Sequence, residues 1–452
     1  MGEIARPEPS RLYRWMVLIV ISLAMFGNYY VYDCIAPIAD LLAKQLGFSD
    51  SNIGLLQAIY SIPNVIMVLI GGYIVDRIGT RKAIFIFGTL CFIGAIVTVA
   101  AGKLPVMATG RLIFGIGAES LIVAVTTAIA KWFRGKELSF AFGINLMIAR
   151  FGTWLAQNSP SWASSAYTNW RNPLLISIAF GSLCVIGAAI YWGLEVQADK
   201  RYQVAQAGGT DKVVFGDIFK FGVSYWYIVA LCIVFYSAIF PFETFAYKFF
   251  IDVHHTTRAV AGFLVSILTL FTMFGTPLFG LFVDKIGKRA LLMMFGSVLL
   301  IPVYLMMGYV PSKAYVALTI PWMSHWHLLW WHSPPLPVLL LLTMAMMGVA
   351  FSLIPAVMWP SVAYLVDQSK LGTAYGLMTM IQNIGLAGLN LLVGWANDHS
   401  QASGQNPTGY RLGMWMFSVL GFLGVLFAFL LRQRELGPHG HGLETITTSS
   451  KT

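Results

Sequence analysis

The stretch "GYIVDRIGTR" at residues 72–81 recurs as "GLFVDKIGKR" at residues 280–289. The two copies align without a gap, 208 positions apart, in a chain of 452 residues. The matched positions include Gly72 with Gly280, Asp76 with Asp284, Gly79 with Gly287 and Arg81 with Arg289. A repeat at this distance indicates a chain that is built from two related halves.

The composition around these copies is that of a membrane protein. Hydrophobic residues make up 58% of the chain and charged residues only 11%, whereas a soluble domain carries about 25% charged residues. Apolar windows of roughly 20 residues, each long enough to cross a bilayer, recur along the chain. The predicted fold is therefore an all-α membrane protein with twelve transmembrane helices. The predicted spans are 14–40, 52–76, 83–102, 106–131, 137–164, 173–195, 224–250, 258–283, 290–309, 336–365, 371–397 and 409–432.

The polar stretch at residues 198–221 separates the two halves. We expect a six-helix bundle over residues 1–197, a cytoplasmic linker over 198–222, a second six-helix bundle over 223–433 and a cytoplasmic tail over 434–452. Each copy of the repeated loop lies between the second and third spans of its half. Both copies therefore face the same side, which predicts two parallel six-helix repeats.

The positive charges predict the orientation of the chain. With the N-terminus in the cytoplasm, twenty of the 29 Lys and Arg residues lie in inner segments and seven in outer segments. This bias follows the positive-inside rule and places both termini in the cytoplasm. The net charge of +10 is thus explained by topology, so we expect a lipid bilayer as the surroundings and no nucleic-acid partner.

The repeated loop has a physical interpretation as a gate. Glycine permits a tight turn between two spans, and an aspartate at a helix end can pair with an arginine or with the N-terminus of a neighbouring helix. Such a loop can join the two bundles in one state and release them in another. The alternative is a plain cytoplasmic turn. The predicted gating residues are Gly72, Asp76, Arg77, Gly79, Arg81, Asp284, Lys285 and Arg289.

Two charges lie inside predicted spans, where a charge is costly. Counted from their shared inner turn, Glu119 and Arg150 lie at depths of about 18 and 21 Å, from a rise of about 1.5 Å per residue. Both therefore reach the level near the bilayer midplane, where membrane proteins built from two such repeats hold their ligands. The pair has three interpretations: a permanent structural bridge, a proton carrier at Glu119, or a clamp in which Glu119 binds an ammonium and Arg150 a carboxylate.

Other polar and aromatic side chains occur at the same depth. We expect Tyr32, Tyr60, Asn64, Tyr236, Trp359, Gln382 and Asn383 to shape the pocket, with helix packing as the alternative for each aromatic ring. Tyr29, Asp33 and Glu243 lie in the same segments. A metal site at His325, His327 and His332 is conceivable, but an aromatic belt at the outer membrane interface explains residues 322–335 better. We therefore expect no metal and no cofactor, and the chain carries no recognisable nucleophile–base set of an enzyme.

The repeated loop resembles the signature of the major facilitator superfamily, here Gly72, Asp76, Arg77, Gly79, Arg81 and Lys82. Arg111 with Gly115 and Gly117 is similar to the family's fourth-span motif. Three stretches, "GRLIFGIGAESLIVA" (110–124), "WFRGKELSFAFGINLMIARFG" (132–152) and "LGTAYGLMTMIQNIGLA" (371–387), resemble the branch of animal lysosomal dipeptide transporters. The resemblance implies alternating access and a dipeptide whose two ends are held by Glu119 and Arg150, with Trp359 nearby. The N-terminus lacks the branch's acidic dileucine signal, which favours a bacterial inner-membrane relative.

The sequence thus predicts a monomeric carrier of small zwitterionic solutes, most of all dipeptides. The alternatives are a proton-coupled carrier of organic anions or single amino acids and a transport-inactive membrane receptor. The sequence leaves open the side-chain preference, the coupling to protons, the direction of transport and any partner subunit.

Overall fold

The computed structural model describes residues 7–133, 137–202, 221–317, 319–320, 331–332, 335–367, 370–438 and 440–446. Within these ranges the chain forms twelve long helices. They are α1 (Arg11–Asp33), α2 (Asp50–Ile78), α3 (Thr80–Ala100), α4 (Leu104–Phe133), α5 (Leu138–Gln157), α6 (Arg171–Arg201), α7 (Val223–His254), α8 (Arg258–Ile286), α9 (Arg289–Tyr309), α10 (Val338–Leu365), α11 (Leu371–His399) and α12 (Arg411–Leu436).

Length and hydropathy qualify eleven helices of the described chain as membrane spans. The remaining long helix, α5, has 20 residues, which also suffices to cross a bilayer. The predicted twelve-helix membrane fold is confirmed.

The repeat extends to the starts of equivalent helices. Ser49 caps α2 by accepting a hydrogen bond from the backbone N–H of Asn52, and Thr257 caps α8 in the same way. A side-chain oxygen at this position satisfies one of the free N–H groups of the first turn. Ser49 and Thr257 are separated by the same 208 positions as the repeated loops, so the two halves correspond at both ends of this helix.

Two predicted spans were too long. The first, predicted over 14–40, ends as α1 at Asp33 and continues as a 3₁₀ turn, Ala36–Ile38, and a short helix, Ala39–Leu46. The fifth, predicted over 137–164, ends as α5 at Gln157 and is followed by a short helix, Ser159–Trp162. Each new segment has a proline in its first turn. Proline has no N–H to donate to the preceding turn, so the long helix ends before it.

The long helices pack mainly within their own half. In the N-terminal half α1 packs on α5 and α6, and α4 packs on α2 and α3; in the C-terminal half α9 packs on α10 and α12, and α8 packs on α10. Between the halves, α2 packs along α11 and α5 packs on α8. The predicted linker is shorter at its start, because α6 continues to Arg201, and residues 203–220 lie outside the described residues.

The connection from α9 to α10 contains four two-residue strands, which the all-α prediction omitted. β1 (Tyr315–Val316) pairs antiparallel with β4 (Leu336–Pro337), and β2 (Thr319–Ile320) pairs antiparallel with β3 (Trp331–His332). Most of the Trp- and His-rich stretch, including His325 and His327, lies outside the described residues. Among the described residues, no group of three His, Cys, Asp or Glu side chains could hold a metal ion.

We call the side that carries residues 72–81 and 280–289 the motif face, and the opposite side, where α2 and α8 begin, the sealed face. Near the sealed face the helices α2 and α11 approach backbone to backbone. A Cβ atom at Gly54 would lie 2.3 Å from the carbonyl oxygen of Asn390, and one at Gly394 would lie 2.6 Å from that of Asp50. Only glycine fits at such a distance, so these two residues bring the halves together here.

Candidate substrate cavity and its two faces

Glu119 in α4 and Arg150 in α5 are both half-buried, but they do not form an ion pair in the described structure. Glu119 accepts a long hydrogen bond of 3.4 Å from the hydroxyl of Tyr60. The guanidinium carbon of Arg150 lies 5.6 Å from the ring centroid of Tyr29 and 5.9 Å from that of Phe351. The conformation described here therefore does not contain the permanent bridge that was one of the three interpretations.

Arg150 also connects the two halves at mid-height. Phe351 belongs to α10, so the guanidinium lies between an aromatic ring of each half. A cation over a ring face gains about 0.5–1 kcal/mol at an exposed site and more where water is excluded. The two ring faces thus hold the guanidinium between the two halves.

Two further carboxylates lie near Arg150, and the sequence analysis did not assign them to the site. Asp33 ends α1, and Glu243 lies in the middle of α7; both interact electrostatically with Arg150. The Nε2 of Gln157 donates to Oε1 of Glu243 across 3.5 Å. Their positions in polar segments of spans one and seven were the only signal in the sequence.

In the C-terminal half, which forms one wall of the candidate cavity, two residues predicted to shape the pocket bond to each other. The Nε1 of Trp359 donates to the hydroxyl of Tyr236 across 2.9 Å. The hydroxyl of Tyr375, which the sequence analysis missed, donates to the backbone carbonyl of Trp359 at 3.1 Å. Tyr236 also stacks on Phe240, with ring centroids 5.8 Å apart. The indole of Trp359 is thus held in a fixed orientation by α7 and α11.

The N-terminal wall is organised by Arg111. Its guanidinium carbon lies 5.8 Å from the ring centroid of Tyr32 and 5.4 Å from that of Tyr60, and these two rings meet edge to face at 4.8 Å. Arg111 donates to the backbone carbonyls of Val31, Tyr32 and Leu56 and, at 2.5 Å, to Oε1 of Gln57. The sequence analysis read Arg111 only as part of a motif; in the structure it is buried and fastens α1 and α2 to α4.

The predicted amides are not all brought to the charged pair. Gln382 accepts a weak hydrogen bond from the thiol of Cys232 at 3.7 Å, and Asn383 donates to the carbonyl of Thr379 in its own helix. Asn64 is fully buried, and neither amide atom has a hydrogen-bond partner among the described residues. Within the described chain, none of these three amides bonds to Glu119 or Arg150.

Charged side chains close the sealed face between the two halves. The Nζ of Lys248 in α7 lies 2.5 Å from Oδ1 of Asp50, and Nδ2 of Asn397 donates to Oδ2 of Asp50 at 2.9 Å. The carboxylate of Asp398 in turn accepts from the backbone N–H groups of Asp50 and Ser51, each at 2.8 Å. The first turn of α2 is thereby bonded to α7 and α11.

A second inter-half bridge lies beside the first. Arg258, the first residue of α8, donates to both oxygens of Asp40, at 3.2 and 2.6 Å, and to the carbonyl of Tyr167 at 3.4 Å. Gln157 adds two bonds, because its backbone carbonyl accepts from Tyr247 and its side chain accepts from Thr269. A two-pronged arginine–carboxylate contact fixes geometry as well as charge.

The motif face differs, because the ion pairs described there each join residues of one half. Arg81 donates to Asp199 in α6 at 2.8 Å, and Lys131 pairs with Glu195. In the C-terminal half Arg289 donates to Asp284 at 3.2 Å. Asp76 lines a cavity of about 340 Å³ between α2, α3, α4 and α6. Of the remaining predicted gating residues, Arg77 and Lys285 are exposed.

The two turns of the motif face each contain a glycine in a left-handed backbone conformation. Gly79 and Gly287 have φ values of +82° and +69°, a region that favours glycine. A Cβ atom at Gly280 would meet nothing within 4 Å, so this glycine is not required by close packing in the present conformation.

The geometry is that of a transporter: two homologous bundles joined at one face, with embedded charges at mid-height between them. The chain matches the family model of the Major Facilitator Superfamily over residues 21–324, and it belongs to that family. Members of this family are transporters and not enzymes, so the expectation of no enzyme activity is confirmed. The prediction of a multi-pass membrane protein is confirmed as well.

The chain is also similar to individual proteins. It is 31% identical over 402 residues to the lysosomal dipeptide transporter MFSD1 of Danio rerio, covering 86% of this chain and 81% of the relative. It is 25% identical over 179 residues to the hexuronate transporter of Escherichia coli, covering 40% and 41%. A crystal structure of a bacterial homologue of the human lysosomal transporter Spinster, in an inward-facing and unoccupied conformation, superposes with a TM-score of 0.73 at 17% identity, covering 94% and 98%.

Proposed function

We propose that this transporter moves dipeptides, with Glu119 binding the ammonium end and Arg150 the carboxylate end. The observation that carries the proposal is that these opposite charges lie in neighbouring helices without pairing to each other. Charges inside a membrane protein pair with one another or face a water-filled cavity, and a zwitterion with charges at both ends would pair with both. The similarity to the dipeptide transporter of Danio rerio supports the same substrate class.

In this proposal the aromatic walls and the faces have separate roles. Tyr236, Trp359, Tyr32 and Tyr60 contact the peptide backbone and side chains, and Arg111 keeps the N-terminal wall in place. The bonds of Asp50 and Arg258 keep the sealed face closed while substrate enters or leaves at the motif face. For the sealed face to open, these bonds break, and residues 72–81 and 280–289 join the two halves at the motif face.

The experiment measures binding to the purified transporter by thermal shift, because ligand binding to the folded state raises the unfolding temperature. The ligands are a dipeptide, its N-acetylated form and its C-terminal amide. Glu119→Gln and Arg150→Gln are compared with the wild type. Glu137→Gln is the control, because Glu137 pairs with Arg11 at the surface, where the two side chains are 37% and 72% exposed.

We expect the chemical block of each end of the dipeptide to weaken binding as much as the substitution of the residue that binds this end. N-acetylation and Glu119→Gln each weaken binding by about 30-fold, which corresponds to about 2 kcal/mol for a lost charged contact. N-acetylation has little further effect in Glu119→Gln, and C-terminal amidation has little further effect in Arg150→Gln. If the two chemical blocks weaken binding equally in every variant, the assignment of the two ends is wrong.

A proton-coupled carrier of organic anions or single amino acids is the second candidate. The carboxylates of Asp33 and Glu243 interact electrostatically with Arg150, and Glu119 lies in the neighbouring helix. The hexuronate transporter of Escherichia coli is among the relatives. This candidate predicts that Glu119→Gln retains substrate binding but loses concentrative uptake into liposomes. A transport-inactive receptor predicts no flux of any bound solute.

We also propose the orientation. With the motif face in the cytoplasm, both termini are cytoplasmic, and the membrane is the inner membrane of a bacterial cell. The excess of Lys and Arg in the segments of that face supports this arrangement. Labelling of single cysteines at Lys82 and at Gln45, which lie on opposite faces, with a membrane-impermeant maleimide in intact cells tests it. We expect labelling at residue 45 only.

A further inference from the structure

The C-terminal segment folds back over the motif face of the C-terminal half. Residues 440–446, which we call the tail strap, follow the end of α12 at Leu436. Leu443 of this strap is fully buried in the hydrophobic core. The carboxylate of Glu435 accepts from the backbone N–H groups of His441 and Leu443 and from the hydroxyl of Ser224 in α7. The strap is therefore anchored at its start.

The strap supplies the cap that α9 lacks. The first N–H groups of a helix have no partner within it, and Lys288, at the N-cap position, makes no side-chain cap bond. Oε1 of Glu444 accepts from the N–H groups of Ala290 and Leu291, at 2.8 and 3.3 Å. The backbone carbonyl of Leu443 accepts from the N–H of Arg289, and the carbonyl of Glu444 accepts from the N–H of Lys288. Four consecutive N–H groups thus bind to the tail.

The strap also binds the arginine of the repeated loop. Nη1 of Arg289 donates to the carbonyl of Ile446 at 2.7 Å, and its guanidinium carbon lies 4.9 Å from the ring centroid of Tyr364. The residue is only 2% exposed. Its counterpart Arg81 pairs with Asp199 and has a side chain 34% exposed. One copy of the gate is therefore covered by the chain's own tail, and the other is open to solvent.

The path of the strap depends on glycine. A Cβ atom at Gly440 would lie 2.1 Å from the carbonyl oxygen of Glu435, and Gly442 has a φ of +86°. Other residues would be strained at both positions. In the sequence "HGHG" at residues 439–442, the two glycines are thus required by the path of the strap.

We propose that the tail strap is an autoinhibitory element that holds Arg289 and the start of α9 in the open arrangement of the motif face and so slows its closure. A segment that binds one conformation more tightly shifts the equilibrium toward that conformation. Arg289, buried beneath the strap, becomes free to bind the N-terminal half only when residues 440–446 lift. The proposal rests on the proposed alternating-access cycle, but its test needs no dipeptide.

The experiment measures the distance across the motif face in the substrate-free full-length transporter. Spin labels are placed at Lys82→Cys and Ile286→Cys, two exposed positions in different halves, in a background without the four native cysteines. The variants are Glu444→Gln and a chain that ends after Pro438. The control is Thr445→Ala, because Thr445 is exposed and, among the described residues, its side chain bonds only to the carbonyl of Gly442.

We expect the closed, short-distance population to rise by roughly tenfold in the shortened chain, the change for about 1.4 kcal/mol, and by a smaller factor in Glu444→Gln. Thr445→Ala leaves the distances unchanged. Unchanged distances with a lower unfolding temperature would show that the strap only caps α9 and would overturn the proposal. If the shortened chain does not fold, the short-distance population of Glu444→Gln alone tests the proposal: a rise supports it, and no change overturns it. A distance shift without dipeptide transport would leave the strap proposal standing and overturn only the substrate.

Discussion

The sealed face and the motif face use the same kinds of residue in opposite ways. On the sealed face, Asp50 with Lys248 and Asp40 with Arg258 connect one half to the other. On the motif face, Arg81 with Asp199 and Arg289 with Asp284 connect residues of one half. A pair within one half moves as a unit, whereas a pair between halves breaks when the halves separate. The two faces thus differ in the partners that their charged residues have.

The inter-half pairs of the sealed face also differ in burial from the exposed pair of Arg81 with Asp199, although the pair of Lys131 with Glu195 on the motif face is buried as well. The inter-half carboxylates are almost completely buried, since Asp50 has a side-chain exposure of 0% and Asp40 of 4%. The pair of Arg81 with Asp199 is 34% and 46% exposed. Buried pairs are strongly destabilised when one partner is lost, whereas exposed pairs contribute under about 1 kcal/mol.

The largest expected effect is that of Asp50→Asn. The substitution leaves the ammonium of Lys248 largely buried without its charge partner, and we expect the sealed face to loosen by about 3 kcal/mol. The measurement is the labelling rate of Cys34, 7% exposed, from the sealed side in a variant whose other three cysteines are serine. We expect a rise of roughly 100-fold.

The double variant Asp50→Asn with Lys248→Met is the control for this prediction. Replacing both partners of a buried pair costs less than removing one, so labelling should return toward the wild-type rate. Equal labelling in the single and double variants would mean that Lys248 and Asp50 are not coupled at this face.

Gly394→Ala is expected to have the next largest effect. Its Cβ would lie 2.6 Å from the carbonyl oxygen of Asp50, so α2 and α11 must separate, at a cost of about 1–3 kcal/mol for overpacking. Gly388→Ala in the same helix is the matched control, because its Cβ would meet nothing within 4 Å. We expect thermal unfolding to occur at a lower temperature only for Gly394→Ala. A similar loss in both would point to helix flexibility instead of the close approach.

Arg258→Lys tests geometry apart from charge. Lysine keeps the charge but loses the two-pronged contact with Asp40 and the stacking on Tyr167, where the centroid lies 5.3 Å away. We expect a loss of about 1.4 kcal/mol and a rise in Cys34 labelling of roughly tenfold. Lys44→Ala removes a more exposed cation that also contacts Asp40, at 3.4 Å, and should change little. A larger rise in Cys34 labelling for Lys44→Ala than for Arg258→Lys would show that Arg258 and Asp40 do not close this face.

The smallest expected effect on stability is that of Arg81→Gln. Because the pair with Asp199 is exposed, the free energy of unfolding should change by under about 1 kcal/mol. Transport should nevertheless slow, since in the proposed cycle this loop joins the halves when the motif face closes. Uptake into liposomes and thermal unfolding are measured together, with the exposed neighbour Lys82→Gln as control. Unchanged uptake would favour the plain cytoplasmic turn.

Much of the fold could be read from the sequence, because it depends on local composition. The starts of α2 and α8 and the turns at Gly79 and Gly287 also follow from side-chain type at one position. The ends of α1 and α5 were predicted too far along, since an apolar run does not mark where a proline-containing turn replaces the helix. The depth of Glu119 and Arg150 required only the rise of a helix.

The sequence by itself determined the class of protein and the two related halves, and it predicted the level of the embedded charges. These follow from hydrophobic length, a repeated loop and helical rise, which are properties of neighbouring residues. Only the tertiary structure decided which charges pair. The separation of Glu119 from Arg150, the burial of Arg111 between helices, the closure of one face by Asp50 and Lys248, and the strap over Arg289 each depend on residues far apart in the chain. In each case one of several possible partners is selected by packing, which the order of residues along the chain does not reveal.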